Sequence, residues 1–260
     1  MDTTIPLLIE GKAPITGVAG TIVTQNDVVQ SNRGTLKEIM PLVRQYRVPT
    51  VPGQVGNGYR VTMSIGGQDI IKNEPVDKWT SLADFGTERE QRLLVTANQA
   101  QTVRTAMDGA DFVGPDNTDL VPLLFYTTRE REEWLSGFDW SQANRFKRET
   151  FTLAVGPGVF ANTFNLRGII PRNNGPVVGY SIFVNANQDD VTFAQTTVRI
   201  NGVVTSLNVP CSYNGNFSQR VPYIWKYPFQ AGSEFELDYT LFAPISSGRI
   251  RVYLTFYFNG

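Results

Sequence analysis

The ten residues Arg249-Ile250-Arg251-Val252-Tyr253-Leu254-Thr255-Phe256-Tyr257-Phe258 alternate without a break. Ile250, Val252, Leu254, Phe256 and Phe258 fall on one face of an extended chain, and Arg251, Tyr253, Thr255 and Tyr257 fall on the other. A helix turning about 100° per residue would scatter both sets around its circumference, so a period of two demands a half-buried strand. Upstream, Phe235, Leu237, Tyr239 and Leu241 alternate in the same way with Glu236, Asp238 and Thr240. The link Ala243-Pro244-Ile245-Ser246-Ser247-Gly248 is turn chemistry, which predicts that these two strands are sequential and antiparallel.

The pattern runs back through the second part of the chain. Phe151 to Val155, Tyr180 to Val184, Val191 to Phe193, Thr197 to Ile200 and Phe217 to Trp225 all read as short strands. Asn201-Gly202, between Ile200 and Val203-Val204, is a strong two-residue hairpin signal, because both turn positions require a positive φ. Seven or eight strands separated by frequent turn clusters indicate a sandwich or barrel, and an eight-stranded jelly roll fits the length. Composition shifts at the same boundary. Residues 1–150 carry 35 charged side chains and 11 aromatics, whereas residues 151–260 carry 12 and 19, so the second part packs more apolar surface per residue.

The first part reads as mixed. Gly58 to Gly67 is a strand entering a turn, Val43 to Val51 another, and Leu120 to Thr127 a third. Between them, Leu93, Ala97, Ala100, Val103, Met107 and Ala110 keep 3-4 spacing, which favours a helix within Thr87 to Ala110, although Asn98-Gln99 would suit a hairpin. Thr128 to Leu135, with a capping Thr128 and acidic residues in its first turn, also reads as helix. Residues 1–38 show little periodicity and many small residues, the composition of an arm. The expectation is an all-β chain of two jelly-roll domains with short helical insertions: an arm over 1–38, a first β-rich domain over 39–149 and a second jelly roll over 150–260.

Absences narrow the chemistry. The chain has no histidine, which removes Ser-His-Asp and Cys-His catalysis and every His-ligated metal site. Its one cysteine, Cys211, allows no intrachain disulfide and reads as a small packed residue. No 18-residue apolar run offers a transmembrane helix, and Met1 to Pro6 lacks the pattern of a signal peptide, so the expectation is synthesis in a reducing cytoplasm. A net charge of −1 points to no specific nucleic acid.

Paired carboxylates remain open to such a chain, because glycosidases need only two acids. Glu234, Glu236 and Asp238 share a strand face, but alternation reads them as solvent-facing. The oxygen-rich stretches Asp111 to Asp119 and Asn185 to Asp190 lack the spacing of a calcium loop. No catalytic residue, cofactor site or metal site is expected. The remaining candidate is aromatic. Tyr223, Trp225, Tyr227 and Phe229 lie at period two, and a continuous strand would present all four on one face, as core, as a subunit interface or as a glycan platform.

From about Glu149 to Gly260 the chain resembles a viral capsid jelly roll, on the Asn201-Gly202 hairpin, the run Ala231 to Leu237 and the closing strand Arg249 to Phe258. The whole length resembles a double jelly-roll major capsid protein of tailless, membrane-containing icosahedral phages. That resemblance implies a structural virion protein, not an enzyme, made in the host cytoplasm and assembled as homotrimers into an icosahedral shell beside other virion proteins. It further implies an inward-turned arm, whose Lys12, Arg33 and Lys37 could meet an internal membrane. The alternative is a carbohydrate- or receptor-binding β-sandwich module, such as a phage decoration, vertex or spike protein. The residues agree with the first reading, since a low-charge, aromatic-rich sheet protein has surface to pack against copies of itself.

Overall fold

The computed structural model describes residues 8–45, 59–79, 93–97, 101–110, 119–127, 147–156, 162–172, 175–185, 194–211, 229–242 and 250–258. They form strands β1 (Leu8–Gly11), β2 (Ile15–Thr16), β3 (Ile22–Val28), β4 (Thr35–Gln45), β5 (Arg60–Ile65), β6 (Gln68–Pro75), β7 (Leu93–Ala97) and β8 (Thr102–Asp108). These are followed by β9 (Asp119–Thr127), β10 (Lys147–Val155), β11 (Thr163–Ile169), β12 (Val177–Asn185), β13 (Ala194–Ile200), β14 (Val203–Pro210), β15 (Glu234–Leu241) and β16 (Ile250–Phe258). Among the described residues, helical segments are confined to the 3-10 turns Ser31–Arg33 and Val76–Trp79 and a 3-10 residue at Arg172. The chain is an all-β protein of several sheets, divided into a unit of Gly11–Tyr126 and a unit of Met1–Glu10 with Thr127–Gly260.

Each unit nests its strands from the ends inward. In the Gly11–Tyr126 unit β2 pairs with β9, β3 with β8, β4 with β7 and β5 with β6, all antiparallel. Two further adjacencies, β8 with β5 and β9 with β4, join these pairs into the sheets β3-β8-β5-β6 and β2-β9-β4-β7. In the other unit β10 pairs with β16, β11 with β15, Val177 of β12 with Phe229, and β13 with β14, again antiparallel. There β16 also pairs with β12 and β15 with β13. The innermost hairpin of each unit closes on two residues with positive φ: Gly66 (58°) and Gly67 (86°) between β5 and β6, and Asn201 (49°) and Gly202 (76°) between β13 and β14. Backbone twist at such a turn matches that of the strands it joins, which is why glycine and asparagine stand there. Beyond this nesting, β1 adds in parallel to β14, with Ile9 opposite Ser206, and all four of its residues are buried.

Side chains from both sheets of the carboxy-terminal unit meet in an aromatic cluster. Phe256 of β16 lies 5.1 Å from Phe235 of β15, 5.7 Å from Phe229, 5.9 Å from Phe151 of β10 and 6.4 Å from Tyr180 of β12, centroid to centroid. Phe151 and Phe235 themselves stand 4.6 Å apart. Gly168 of β11 lets the Phe235 ring approach, because a Cβ there would sit 2.7 Å from it. The polar pair Tyr180 and Thr205 shares a hydrogen bond of 2.8 Å inside the same core, so its hydroxyls are satisfied.

Several expectations need correction. The alternation in β15 and β16 is as expected, but the two strands do not pair; they lie in opposite sheets, since the turn chemistry between them serves a crossover equally well. Thr87 to Ala110 is not a helix where it is described. Leu93–Ala97 and Thr102–Asp108 are strands β7 and β8, and Val103, Thr105 and Met107 are buried at period two, a pattern the 3-4 spacing of the alanines overlaid. Nor is the stretch 1–38 an arm from Leu8 onward, because it supplies β1, β2, β3 and the start of β4. The proposed helix at Thr128 to Leu135 lies outside the described residues.

Phe256→Ala is expected to cost about 3–5 kcal/mol, as for a buried phenylalanine at the centre of a packed core. Urea titration of the variant, followed by near-UV circular dichroism, measures the loss.

Candidate functional site

Alternation on β15 sends Phe235, Leu237, Tyr239 and Leu241 inward and Glu234, Glu236, Asp238 and Thr240 outward, as the sequence predicts. Register then decides what those acids face. Glu236 lies opposite Arg167 of β11 on one side and Arg199 of β13 on the other, and Asp238 lies opposite Asn165 and Thr197. Arg167 donates to Glu236 Oε1 from Nε at 3.0 Å and from Nη2 at 2.6 Å. The Asn165 amide bridges Glu236 Oε1 at 2.8 Å and Asp238 Oδ1 at 2.7 Å. Arg199 Nη1 donates to Asp238 Oδ2 and stands 3.8 Å from Glu236 Oε2.

This is an ion ladder laid across three strands. Both carboxylates accept from cations and amides of their own sheet, and they sit on one strand instead of facing each other across a substrate. Its contribution to stability is small, because solvent screens partly exposed pairs. Glu236→Gln is expected to change unfolding free energy by no more than about 1 kcal/mol, read by urea titration, and to leave the strand content by circular dichroism unchanged.

Of the four aromatics at period two, Tyr223, Trp225 and Tyr227 lie outside the described residues. Phe229 is half-buried, exchanges backbone hydrogen bonds of 3.1 and 3.3 Å with Val177, and sets its ring edge-on to Phe256. At this position the aromatic belongs to the core.

A second aromatic group was not singled out by sequence reasoning. On the outer face of the sheet β10-β16-β12, register places Thr152, Tyr253 and Phe183 in one row, with Arg251 and Asn185 in the next. The Tyr253 and Phe183 rings lie 6.0 Å apart at 33°. Two rows away, the Arg148 guanidinium stands over the Tyr257 ring at 5.5 Å, and Tyr257 OH bonds Ser181 Oγ at 2.9 Å. Alternation in β16 had already put Arg251, Tyr253 and Tyr257 on this face. Their neighbours come from strands some 70 and 100 residues away, and a single sequence gives no register for those.

The other candidates resolve simply. Cys211 is buried and unbonded to any other cysteine, and burial pushes its thiol well above the usual thiol range, which denies it a nucleophilic role. It is expected to resist Ellman's reagent in the native protein and to react at the rate of global unfolding, as a stopped-flow comparison with the unfolding rate would check. Lys12, Arg33 and Lys37 are half-buried on or beside ordered strands, and Lys12 and Lys37 are engaged in polar contacts, so they do not form a basic arm. The centres of the two oxygen-rich loops, 111–118 and 186–190, lie outside the described residues; Asp119 accepts from Thr16 Oγ1 at 2.7 Å. Among the described residues no three His, Cys, Asp or Glu side chains gather closely enough to hold a metal ion. No known family model and no curated protein matches the chain.

Proposed function

We propose that this chain is a structural virion protein, the major capsid protein of an icosahedral shell, built from two jelly rolls and assembling as trimers. One observation carries the reading: strand nesting of first with eighth, second with seventh, third with sixth and fourth with fifth, present in both units. A jelly roll is a long eight-stranded hairpin rolled into two sheets. Rolling adds contacts between the third and eighth strands and between the fourth and seventh. In the Gly11–Tyr126 unit those contacts are β4 with β9 and β5 with β8. In the carboxy-terminal unit, with Phe229 marking the sixth strand, they are β12 with β16 and β13 with β15.

The step from fold to function is an analogy with capsid proteins that repeat this sandwich within one chain. The chemistry supports it over an enzyme, since the chain lacks histidine and Glu236 and Asp238 are held in an ion ladder. A second reading, a receptor-binding module, draws on the neighbouring, tilted rings of Phe183 and Tyr253 beside Arg251, an arrangement suited to the apolar face of a sugar ring.

Light scattering after gel filtration in dilute buffer is expected to give three chain masses. Electron microscopy of concentrated protein is expected to show sheets or shells. A monomer whose Tyr253→Ala variant loses binding on a glycan array would replace the capsid reading with the second one.

A further inference from the structure

Strand β3 is an open edge, pairing only with β8 among the described residues, and none of its seven residues is buried. Its backbone geometry follows from the flanking bonds, Gly109 N–H to Thr21 O at 2.8 Å and Val29 N–H to Gln101 O at 2.9 Å. Hydrogen-bonded positions alternate along an antiparallel ladder, so Val23, Gln25 and Asp27 turn their N–H and C=O groups towards β8. Ile22, Thr24, Asn26 and Val28 turn theirs to the open side. The same four residues are the exposed ones, and Ile22 (59%) and Val28 (55%) are among the most exposed large apolar side chains described.

Natural sheets blunt such edges with charge, proline or a bulge. Here the only charge is Asp27, which is half-buried on the other face and accepts from Gln25 Nε2 at 2.9 Å. The topologically equivalent edge, β11, is guarded. Arg167, 72% exposed at its side chain, stands on the open side, and Asn165 beside it is committed to Glu236 and Asp238.

We propose that β3 is a self-pairing edge, which binds β3 of a second copy of this chain antiparallel about a twofold axis through Gln25. That register sets Ile22 against Val28 of the partner subunit and Thr24 against Asn26 of the partner subunit, on both sides of the axis. Both of these facing pairs are then made of residues whose backbone groups point outward, and they alternate with the non-hydrogen-bonded pairs, Val23 with Asp27 and Gln25 with Gln25, so the ladder closes. A shift of one residue sets outward groups against inward ones and breaks the ladder. A shift of two parts Ile22 from Val28. The two exposed apolar residues are thus placed at equal distances from Gln25, where one isologous contact covers both. The contact is independent of the capsid reading.

The test uses the full chain. Across a concentration series in light scattering, native mass is expected to double from whatever the smaller unit is. Thr24→Pro is expected to abolish the doubling and keep the fold by circular dichroism, because the N–H it removes is not one that β8 uses; Val28→Lys is the second variant. Gln25→Cys is expected to form a disulfide-linked dimer on mild oxidation. Its axial partner would lie at about 4.5 Å between Cα atoms, within disulfide geometry, and buried Cys211 does not compete. Leu166→Cys, at the matching point of β11, is the control and is expected to stay monomeric on a non-reducing gel. Three outcomes overturn the proposal: no doubling in the wild type, doubling that persists in both Thr24→Pro and Val28→Lys, or a cross-link at Leu166→Cys as efficient as at Gln25→Cys. Doubling from one chain to two, lost in Thr24→Pro, would support the edge contact while removing the trimer.

Discussion

The carboxy-terminal unit depends on the position of one ring. Phe256 touches Phe151, Tyr180, Phe229 and Phe235, which belong to four separate stretches of chain and to both sheets. A slip of one residue in β16 would turn this ring to the outer face of its sheet and set Thr255 or Tyr257 towards the other sheet in its place, at the loss of most of the inter-sheet contact. Register from Lys147 opposite Phe258 to Val155 opposite Ile250 is therefore set by packing, and so are the rows of side chains on the outer face. The first and last strands of the unit are held by the same cluster that holds its two sheets.

What could be read from the sequence was local and one-sided. The strands β15 and β16, each buried on one face only, show the alternation their burial requires, and Asn201-Gly202 announces its turn through its backbone demands. Elsewhere the reading was uneven. β9, buried on both faces beyond Asp119, shows no period but was read as a strand from its apolar run Leu120 to Thr127, whereas β3, none of whose residues is buried, was missed. In β7 and β8 the alanines and valines happened to satisfy helical spacing, and pairing with β4, β3 and β5 overrode that local preference. Partners were not legible anywhere except at the tightest hairpins. For the same reason the acidic row of β15 was placed correctly on a solvent face, whereas Arg167 and Arg199, which pair with Glu236 and Asp238, and Asn165, which donates to both, were not foreseen.

The two outer faces of the carboxy-terminal unit differ in character. Over β11-β15-β13 the charges of Arg167, Arg199, Glu236 and Asp238 are satisfied by one another, so a partner docking on them would have to break existing pairs before gaining new ones. Over β10-β16-β12 the face offers ring surface and guanidinium groups in rows, with hydroxyls between them. The half-buried Phe183 and Tyr253 rings can be covered there without breaking an ion pair, which is the more economical starting point for recognition.

Strand β1 imposes an order of events on synthesis. Ile9 pairs with Ser206, so this strand waits for a partner made about two hundred residues after it. At ordinary rates of synthesis that interval is about 10–40 s. Throughout it, Leu8 and Ile9, both buried in the finished protein, lack the β14 side of their ladder. The sheet of the carboxy-terminal unit thus takes in a strand made long before its own, and that pairing reports that translation has passed Ser206.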